Sequence, residues 1–248
     1  MAEQIEPDTL VALLRLIAHD LRNPLCAVQA NLEFMQVDAR AAGGTFPEAV
    51  EDMLGSCDGL DHIIHNLEAL ASVLGGEETP KGPVLVAPVV SEALERTRTC
   101  AATHGVPLEL GGVDSGVRAT AHREKLDRAL HNLIRNAIQY SPVRQPVRVH
   151  VLTRGKHCSV RIEDAGPRLT EEWKDRAFLA QGQSAAKNTS AGRYGRGLGL
   201  FCARVCAEAA GGKIRIGEIS DGTSGNALEL TLPVYEETPS SGPPEGAS

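Results

Sequence analysis

The sequence predicts two units of different class: an α helical hairpin that pairs with a copy of itself into a dimeric four-helix bundle, followed by an α+β sandwich. Before residue 75 the apolar residues recur at steps of three and four, and after residue 83 helix-like and strand-like runs alternate. Between the two lies a stretch of breakers and charges with no apolar face.

Leu10, Leu14, Ile17, Leu21, Leu25, Val28, Leu32 and Met35 fall on one stripe of a long amphipathic helix. Pro24 is its internal breaker; it removes one backbone donor and bends the helix just after His19, which favours an exposed imidazole. Ala41 to Pro47 reads as a loop, after which Met53, Cys57, Leu60, Ile64, Leu67, Ala71 and Leu74 alternate by four and three. Two antiparallel helices leave an apolar seam wider than one hairpin covers. A twofold copy closes that seam, so a homodimer is expected.

The hairpin accordingly spans residues 1–74, a linker 75–83, the second domain 84–235 and a disordered tail, rich in Pro, Ser, Gly and Glu, 236–248. In the second domain, strands are expected over Val117–Thr120, Val147–Leu152, Ser159–Glu163, Lys213–Glu218 and Ala227–Leu232. Helices are expected over Pro88–His104, Arg123–Tyr140 and Gly199–Ala210. The last two strands flank Ser220 to Asn226, a turn-rich connector suited to an antiparallel hairpin.

Composition excludes several roles. With 25 Lys+Arg against 32 Asp+Glu the net charge is −7, which disfavours a broad grip on nucleic acid or on an anionic membrane. Aromatics at 3% leave little surface for stacking on bases, so Leu, Val, Ile and Ala must build the cores. The acidic N-terminus lacks the pattern of a secretory signal, and no run approaches the ~20 apolar residues of a membrane span. A cytoplasmic location is expected. The six cysteines (Cys26, Cys57, Cys100, Cys158, Cys202, Cys206) form no Cys-x-x-Cys pair and read as small buried hydrophobes, with Cys202 and Cys206 sharing a helix face.

His19-Asp20-Leu21-Arg22-Asn23-Pro24-Leu25 holds the first chemistry. The Asp20 carboxylate can fix the His19 tautomer and help remove its proton, leaving a ring nitrogen free to attack a phosphoryl group. Asn23, one turn further along the same face, either holds a water near a phosphorylated partner or caps the bend before Pro24. Arg22 suits partner contact or a surface ion pair. The segment resembles the phosphoacceptor box of two-component histidine kinases. That resemblance implies that the first two helices dimerise and carry phosphate, that His19 accepts it, and that Asn23 supports phosphatase activity toward a response regulator.

Three further segments resemble boxes of the ATP-binding fold shared by histidine kinases, gyrase and Hsp90-type chaperones. In Leu126 to Ala137, Asn132 and Asn136 share a helical face, and an amide oxygen is a hard neutral ligand suited to Mg²⁺. The resemblance makes Asn136 the metal ligand and Asn132 its nucleotide-facing neighbour. Asp164, in Ile162-Glu163-Asp164-Ala165-Gly166-Pro167-Arg168, can accept the adenine amine, while Gly166 allows close backbone approach beneath the base. Gly195-Arg196-Gly197-Leu198-Gly199-Leu200 opens an apolar helix, so Gly195, Gly197 and Gly199 can bring backbone N–H groups to phosphates. Residues 181–194 before it suit a mobile lid preceded by Phe178, with Lys187, Arg193 and Arg196 as phosphate contacts.

The resemblance spans residues 8 to 235 and implies ATP and Mg²⁺ as cofactors, with a response-regulator receiver domain as partner. Its expected reaction is autophosphorylation of His19 and transfer to the regulator's aspartate. Eighteen residues precede His19, too few for a sensor domain, so an upstream sensor or partner protein is expected. Two departures define an alternative. Gln139 stands where the family has a basic residue, and Arg168 where it has a second glycine. The alternative reading is a non-kinase phosphotransfer or phosphatase module that binds ATP weakly.

Overall fold

The computed structural model describes residues 46–74, 80–179, 198–217, 219 and 225–236, and within the first 35 residues 9, 17, 20–21, 23–28, 30–31 and 35. Residues 23–28, called α1, are helical and include Pro24. The chain continues with α2 (Phe46–Leu74), β1 (Gly82–Leu85), α3 (Val86–His104), β2 (Leu108–Val113), β3 (Arg118–Ala121) and α4 (Arg123–Tyr140). Next come β4 (Val147–Arg154), β5 (His157–Asp164), α5 (Glu171–Arg176), α6 (Gly199–Ala210), β6 (Lys213–Gly217) and β7 (Asn226–Pro233).

The helices α4 and α6 have the limits their periodicity predicts. Proline explains two departures. Pro47 and Pro88 lie in the first turns of α2 and α3 rather than before or at their starts, because a first-turn residue has no intrahelical partner for its N–H to lose. Gly82 and Pro83, read from sequence as the end of a linker, begin β1, which pairs only with β3 in a two-stranded sheet where a missing donor is tolerated. Strand β2 went unread because Gly111 and Gly112 interrupt its alternation; its register with β4 shifts between Leu110 and Val113. Helix α5, at six residues, is too short to show a period.

The main sheet has strand order β2-β4-β5-β7-β6. Only β2 runs parallel to its neighbour; the pairs β4/β5, β5/β7 and β7/β6 are antiparallel, the last as the turn-rich connector Ser220 to Asn226 predicts. Helices α3, α4 and α6 pack together over it. Leu126, Leu130, Leu133, Ile134 and Ile138 of α4 are fully buried and form one core with residues of β4, β5 and β7, including Val149, Ile162 and Leu230. Each such side chain contributes about 1.5–3 kcal/mol by leaving water.

Helix α2 presents two different faces. Leu70, 3% exposed, joins the core of the second domain, and the helix packs against α4 and α6. Cys57, Ile64 and Ala71, spaced by seven, are exposed. Cys158, Cys202 and Cys206 are buried as expected, but Cys26 and Cys57 are exposed and Cys100 half-buried, because these lie on outward faces of α1, α2 and α3. Among the described residues no helix is long and apolar enough to cross a membrane, and no group of three or more potential ligands could hold a metal.

Candidate nucleotide and phosphotransfer site

The apolar face of α4 fixes which of its residues reach the other side. Pressed onto the sheet by its leucines and isoleucines, the helix turns Asn132, Asn136 and Gln139 toward a cavity of about 300 Å³. Asp20, Asn23 of α1 and Gly199 at the start of α6 line the same cavity. Residues distant in sequence thus meet: Asp20 and Asn23 of the segment that resembles a phosphoacceptor box, and Asn132, Asn136 and Gly199 of segments that resemble nucleotide boxes.

The Leu198 N–H, one residue ahead of α6, donates to Asp20 Oδ2 at 2.9 Å. A carboxylate is favoured there because the first N–H groups of a helix have no intrahelical acceptor. Asn136 is half-buried, and its Nδ2 is enclosed without a hydrogen-bond partner. Since the two ends of an amide are nearly indistinguishable in shape, this side chain holds a polar atom without a partner among the described residues.

Asn132 differs. Its Nδ2 donates to Asn66 Oδ1 and to the Arg128 carbonyl, both at 2.9 Å, and its Oδ1 accepts from Asn66 Nδ2 at 2.9 Å. The sequence suggests a nucleotide-facing amide; the structure instead spends that amide on α2, with Asn132 1% exposed.

Asp164 and Gly166 do not line the 300 Å³ cavity. They stand beyond the C-terminal end of α4, where Ser141 Oγ accepts from the Ala165 N–H at 3.3 Å. Asp164 is 1% exposed, and its Oδ1 accepts from the Gly166 N–H at 2.7 Å and from Asn226 Nδ2 at 3.3 Å. A Cβ on residue 166 would lie 2.7 Å from that Oδ1 and 2.9 Å from the Tyr140 carbonyl oxygen, so the loop closes only around glycine. Arg168, two residues on, is exposed.

Asn226 is the residue that sequence reasoning missed. Its Oδ1 accepts from the Leu169 N–H at 2.9 Å, while its Nδ2 donates to the Pro167 carbonyl at 3.0 Å as well as to Asp164. One buried amide therefore clasps the loop on three sides. Gly225 before it has φ +149°, and a Cβ there would lie 2.0 Å from the Asp164 carbonyl oxygen, which forces glycine next to the clasp. In the sequence this pair looks only like the end of a turn.

A polar seam joins α2 to α4 beside the cavity. Besides the Asn66–Asn132 pair, Arg135 Nη1 donates to Asp58 Oδ2 at 2.7 Å, Lys125 reaches Ser72, and the His62 and His131 rings lie 5.3 Å apart. Cys202 Sγ, 3.8 Å from Cys206 Sγ, is also 3.8 Å from the Asn66 carbonyl oxygen. Burial, then the Arg135 charge, pushes the His62 pKa down to about 2; burial, then Arg96, pushes His131 down to about 3. Arg135 and His131 are thus both engaged with α2.

His19, Gly195 and Gly197 lie outside the described residues, as do Arg22, Lys187, Arg193, Arg196 and the remainder of residues 181–194.

Two family models match this chain. Residues 9–76 match the His Kinase A (phospho-acceptor) domain, and residues 121–236 match the histidine kinase-, DNA gyrase B- and HSP90-like ATPase. The chain is 31% identical to the sensor protein PfeS of Pseudomonas aeruginosa over 89% of its own length and 46% of that protein's. It therefore spans less than half of this relative. Among solved structures, histidine kinase AdeS of Acinetobacter baumannii superposes with a TM-score of 0.61 at 20% identity, covering 88% of this chain and 98% of that one. Histidine kinase ThkA, in complex with response regulator protein TrrA, gives a TM-score of 0.61 at 16% identity, covering 90% of this chain and 61% of that one. With a phospho-acceptor domain followed by an ATPase domain, and these domains meeting at a shared cavity, the chain belongs to the histidine kinase family.

Proposed function

We propose that this chain is a two-component kinase core that moves the γ-phosphoryl group of ATP to His19 and from there to an aspartate of a response-regulator receiver domain. The observation that supports this most is the shared cavity, where Asp20 and Asn23 face Asn136 and Gly199. Phosphoryl transfer depends mainly on positioning and charge neutralisation, and such a juxtaposition supplies the first.

In this reading a ring nitrogen of His19 attacks the γ-phosphorus, the bond to the β,γ-bridging oxygen breaks, ADP leaves, and Asp20 takes the ring proton. Asp164 accepts the adenine amine, held in place by Gly166 and Asn226. The uncommitted amide of Asn136 fits a ligand for Mg²⁺, which when bound neutralises phosphate charge. Gly199 gives the phosphates backbone access beside α6, in concert with Gly195 and Gly197. Asn23, exposed on α1, orients water for removal of phosphate from the regulator.

The chain acts as a homodimer. Cys57, Ile64 and Ala71 form an exposed stripe at seven-residue spacing on α2, and Leu25 on α1 is 50% exposed. A partner copy covers both, and an upstream sensor or partner protein supplies the signal.

Incubation with γ-labelled ATP tests the proposal: the full chain becomes labelled, His19→Gln does not, and addition of the cognate receiver domain drains the label. Label persisting in His19→Gln overturns it. Gln139 at the cavity and exposed Arg168 favour the second reading, a phosphatase or phosphotransfer module with weak ATP binding. Titration with a fluorescent ATP analogue separates the two. Binding that is lost in Asn136→Ala supports the kinase, and no binding alongside regulator dephosphorylation supports the module.

A further inference from the structure

Two imidazoles meet in the α2–α4 seam, and none of the sequence boxes uses either. The His62 and His131 rings lie 5.3 Å apart at an interplanar angle of 48°, and the Nδ1 atom of each is enclosed without a hydrogen-bond partner. Their surroundings fix how His62 must be protonated. The Arg128 carbonyl oxygen accepts from Asn132 at 2.9 Å, so the nitrogen end of that amide must point to it. The reciprocal pair then fixes Asn66, with its oxygen toward Asn132 Nδ2 and its nitrogen toward Asn132 Oδ1. That leaves Asn66 Nδ2, a donor, 3.2 Å from His62 Nε2. His62 Nε2 must therefore be an acceptor, and its ring neutral.

A proton arriving at His62 Nε2 turns the acceptor into a donor that faces another donor. Asn66 cannot answer by flipping: the flip would set its nitrogen against Asn132 Nδ2, and a compensating flip of Asn132 would set an oxygen against the Arg128 carbonyl. The charges nearby also oppose protonation. Arg128 and Arg135 of α4, Arg96 of α3 and His65 of α2 all act against a charge on His62 or His131. Asp58, the acidic group on this face of α2, is already paired with Arg135, and Arg96 with Asp127. Asp20 on the far side of the cavity is bonded to the Leu198 amide.

We propose that the α2–α4 seam is a proton-sensitive latch between the helical hairpin and the ATPase domain, closed while His62 and His131 are neutral and opened when they take up protons. Opening releases Asn132 from Asn66 and frees α4 from the hairpin that carries the phosphoacceptor segment. The latch rests on the seam's geometry and does not depend on whether the chain is a kinase or a phosphatase.

The sign follows from linkage. Both rings titrate below their ordinary value when docked and return to about 6.5 when undocked, so the docked form keeps its full advantage above about pH 6.5 and loses it progressively below. At about pH 5.5 each histidine lowers the docking constant about 10-fold, and the two together about 100-fold.

Two measurements on the full chain test this. Imidazole signals assigned by His62→Gln and His131→Gln are followed by NMR through a pH titration. Amide exchange over Gly59 to Leu70 is compared at pH 7.5 and 5.5 after correction for intrinsic rates. The expected result is two rings with midpoints well below 6.5, and a roughly 100-fold faster corrected exchange in acid that disappears in the double His62→Gln/His131→Gln variant. Should that variant fold poorly, Asn66→Ala serves in its place; it removes the donor facing His62 Nε2 and should raise the His62 midpoint toward its ordinary value while leaving the burial of His131 in the docked form. Rings that titrate near 6.5 in the unaltered chain with α2 protection unchanged, or acid-accelerated exchange that persists in the double variant, overturn the proposal.

Discussion

Two networks centred on asparagine amides flank α4, and they differ in what they join. At the C-terminal end of the helix Asn226 clasps Asp164, Pro167 and Leu169, all within one domain. Its strand β7 is paired with β5 along eight positions, from His157↔Pro233 to Asp164↔Asn226. Along the helix, Asn132 clasps Asn66 across the boundary between hairpin and ATPase domain. The bonds are chemically alike, yet one cannot open without disturbing the sheet, whereas the other opens when two helices part. The first preorganises a loop, and the second makes a reversible closure.

Breaking the first network should have the larger effect. Asn226→Ala strips partners from Asp164 Oδ1, the Leu169 N–H and the Pro167 carbonyl in a region where Asn226 itself is 1% exposed. Asp164 Oδ1 keeps the Gly166 N–H, whereas the buried Leu169 N–H loses this acceptor; a deserted buried group costs about 1–3 kcal/mol, partly recovered if water enters. A net loss of about 2–4 kcal/mol of domain stability in urea is expected, together with weaker binding of a fluorescent ATP analogue. A variant as stable as the parent would show that the loop holds itself without the clasp.

Asn66→Ala deserts the Asn132 amide in the same way, but Asn132 regains water as soon as the helices separate. The loss is therefore confined to docking, about 1–2 kcal/mol or roughly 5–30-fold in the docking constant, while urea unfolding of the ATPase domain stays within about 0.5 kcal/mol. Hydrogen exchange over α2 reads the first quantity and denaturation the second. Equal losses in both would erase the distinction between the two networks.

The same division explains what the sequence made legible. Helices α4 and α6 and the β6–β7 hairpin followed from periodicity and turn chemistry, because one element's apolar pattern is written in consecutive residues. The segments around Asp164, Asn136 and Gly199 were read through their resemblance to boxes in which spacing and chemistry coincide. Asn226 was not. It lies 62 residues from Asp164, and only the register of β5 on β7 brings them together. Asp58, His62 and Asn66 were hidden for a different reason: they recur every four residues on α2, but the heptad of Cys57, Ile64 and Ala71 dominates the pattern. A polar face with helical spacing looks like a solvated face until a second helix is laid against it. Asn132 was given a nucleotide-facing role because its box neighbour Asn136 suits one, and sequence offers no way to see that Asn66 takes that amide.

The smallest effect belongs to the rim of the seam. Asp58 and Arg135 meet at 2.7 Å, but the Asp58 side chain is 59% exposed, so water screens the pair and competes for both partners. Asp58→Ala should lower docking by only about 0.2–1 kcal/mol, with a loss that shrinks as salt is raised. The variant also sharpens the comparison in a second way. Arg135 is a charge that opposes protonation of His62, and Asp58 partly offsets the charge around His131. Removing Asp58 leaves the guanidinium without its carboxylate partner, so the His131 midpoint should move further below 6.5 in the docked form while Asn66 still holds His62 as an acceptor. An NMR titration of the His131 ring in Asp58→Ala measures this directly. A midpoint that rises instead would mean that the rim pair, rather than the amide pair beneath it, keeps the seam closed.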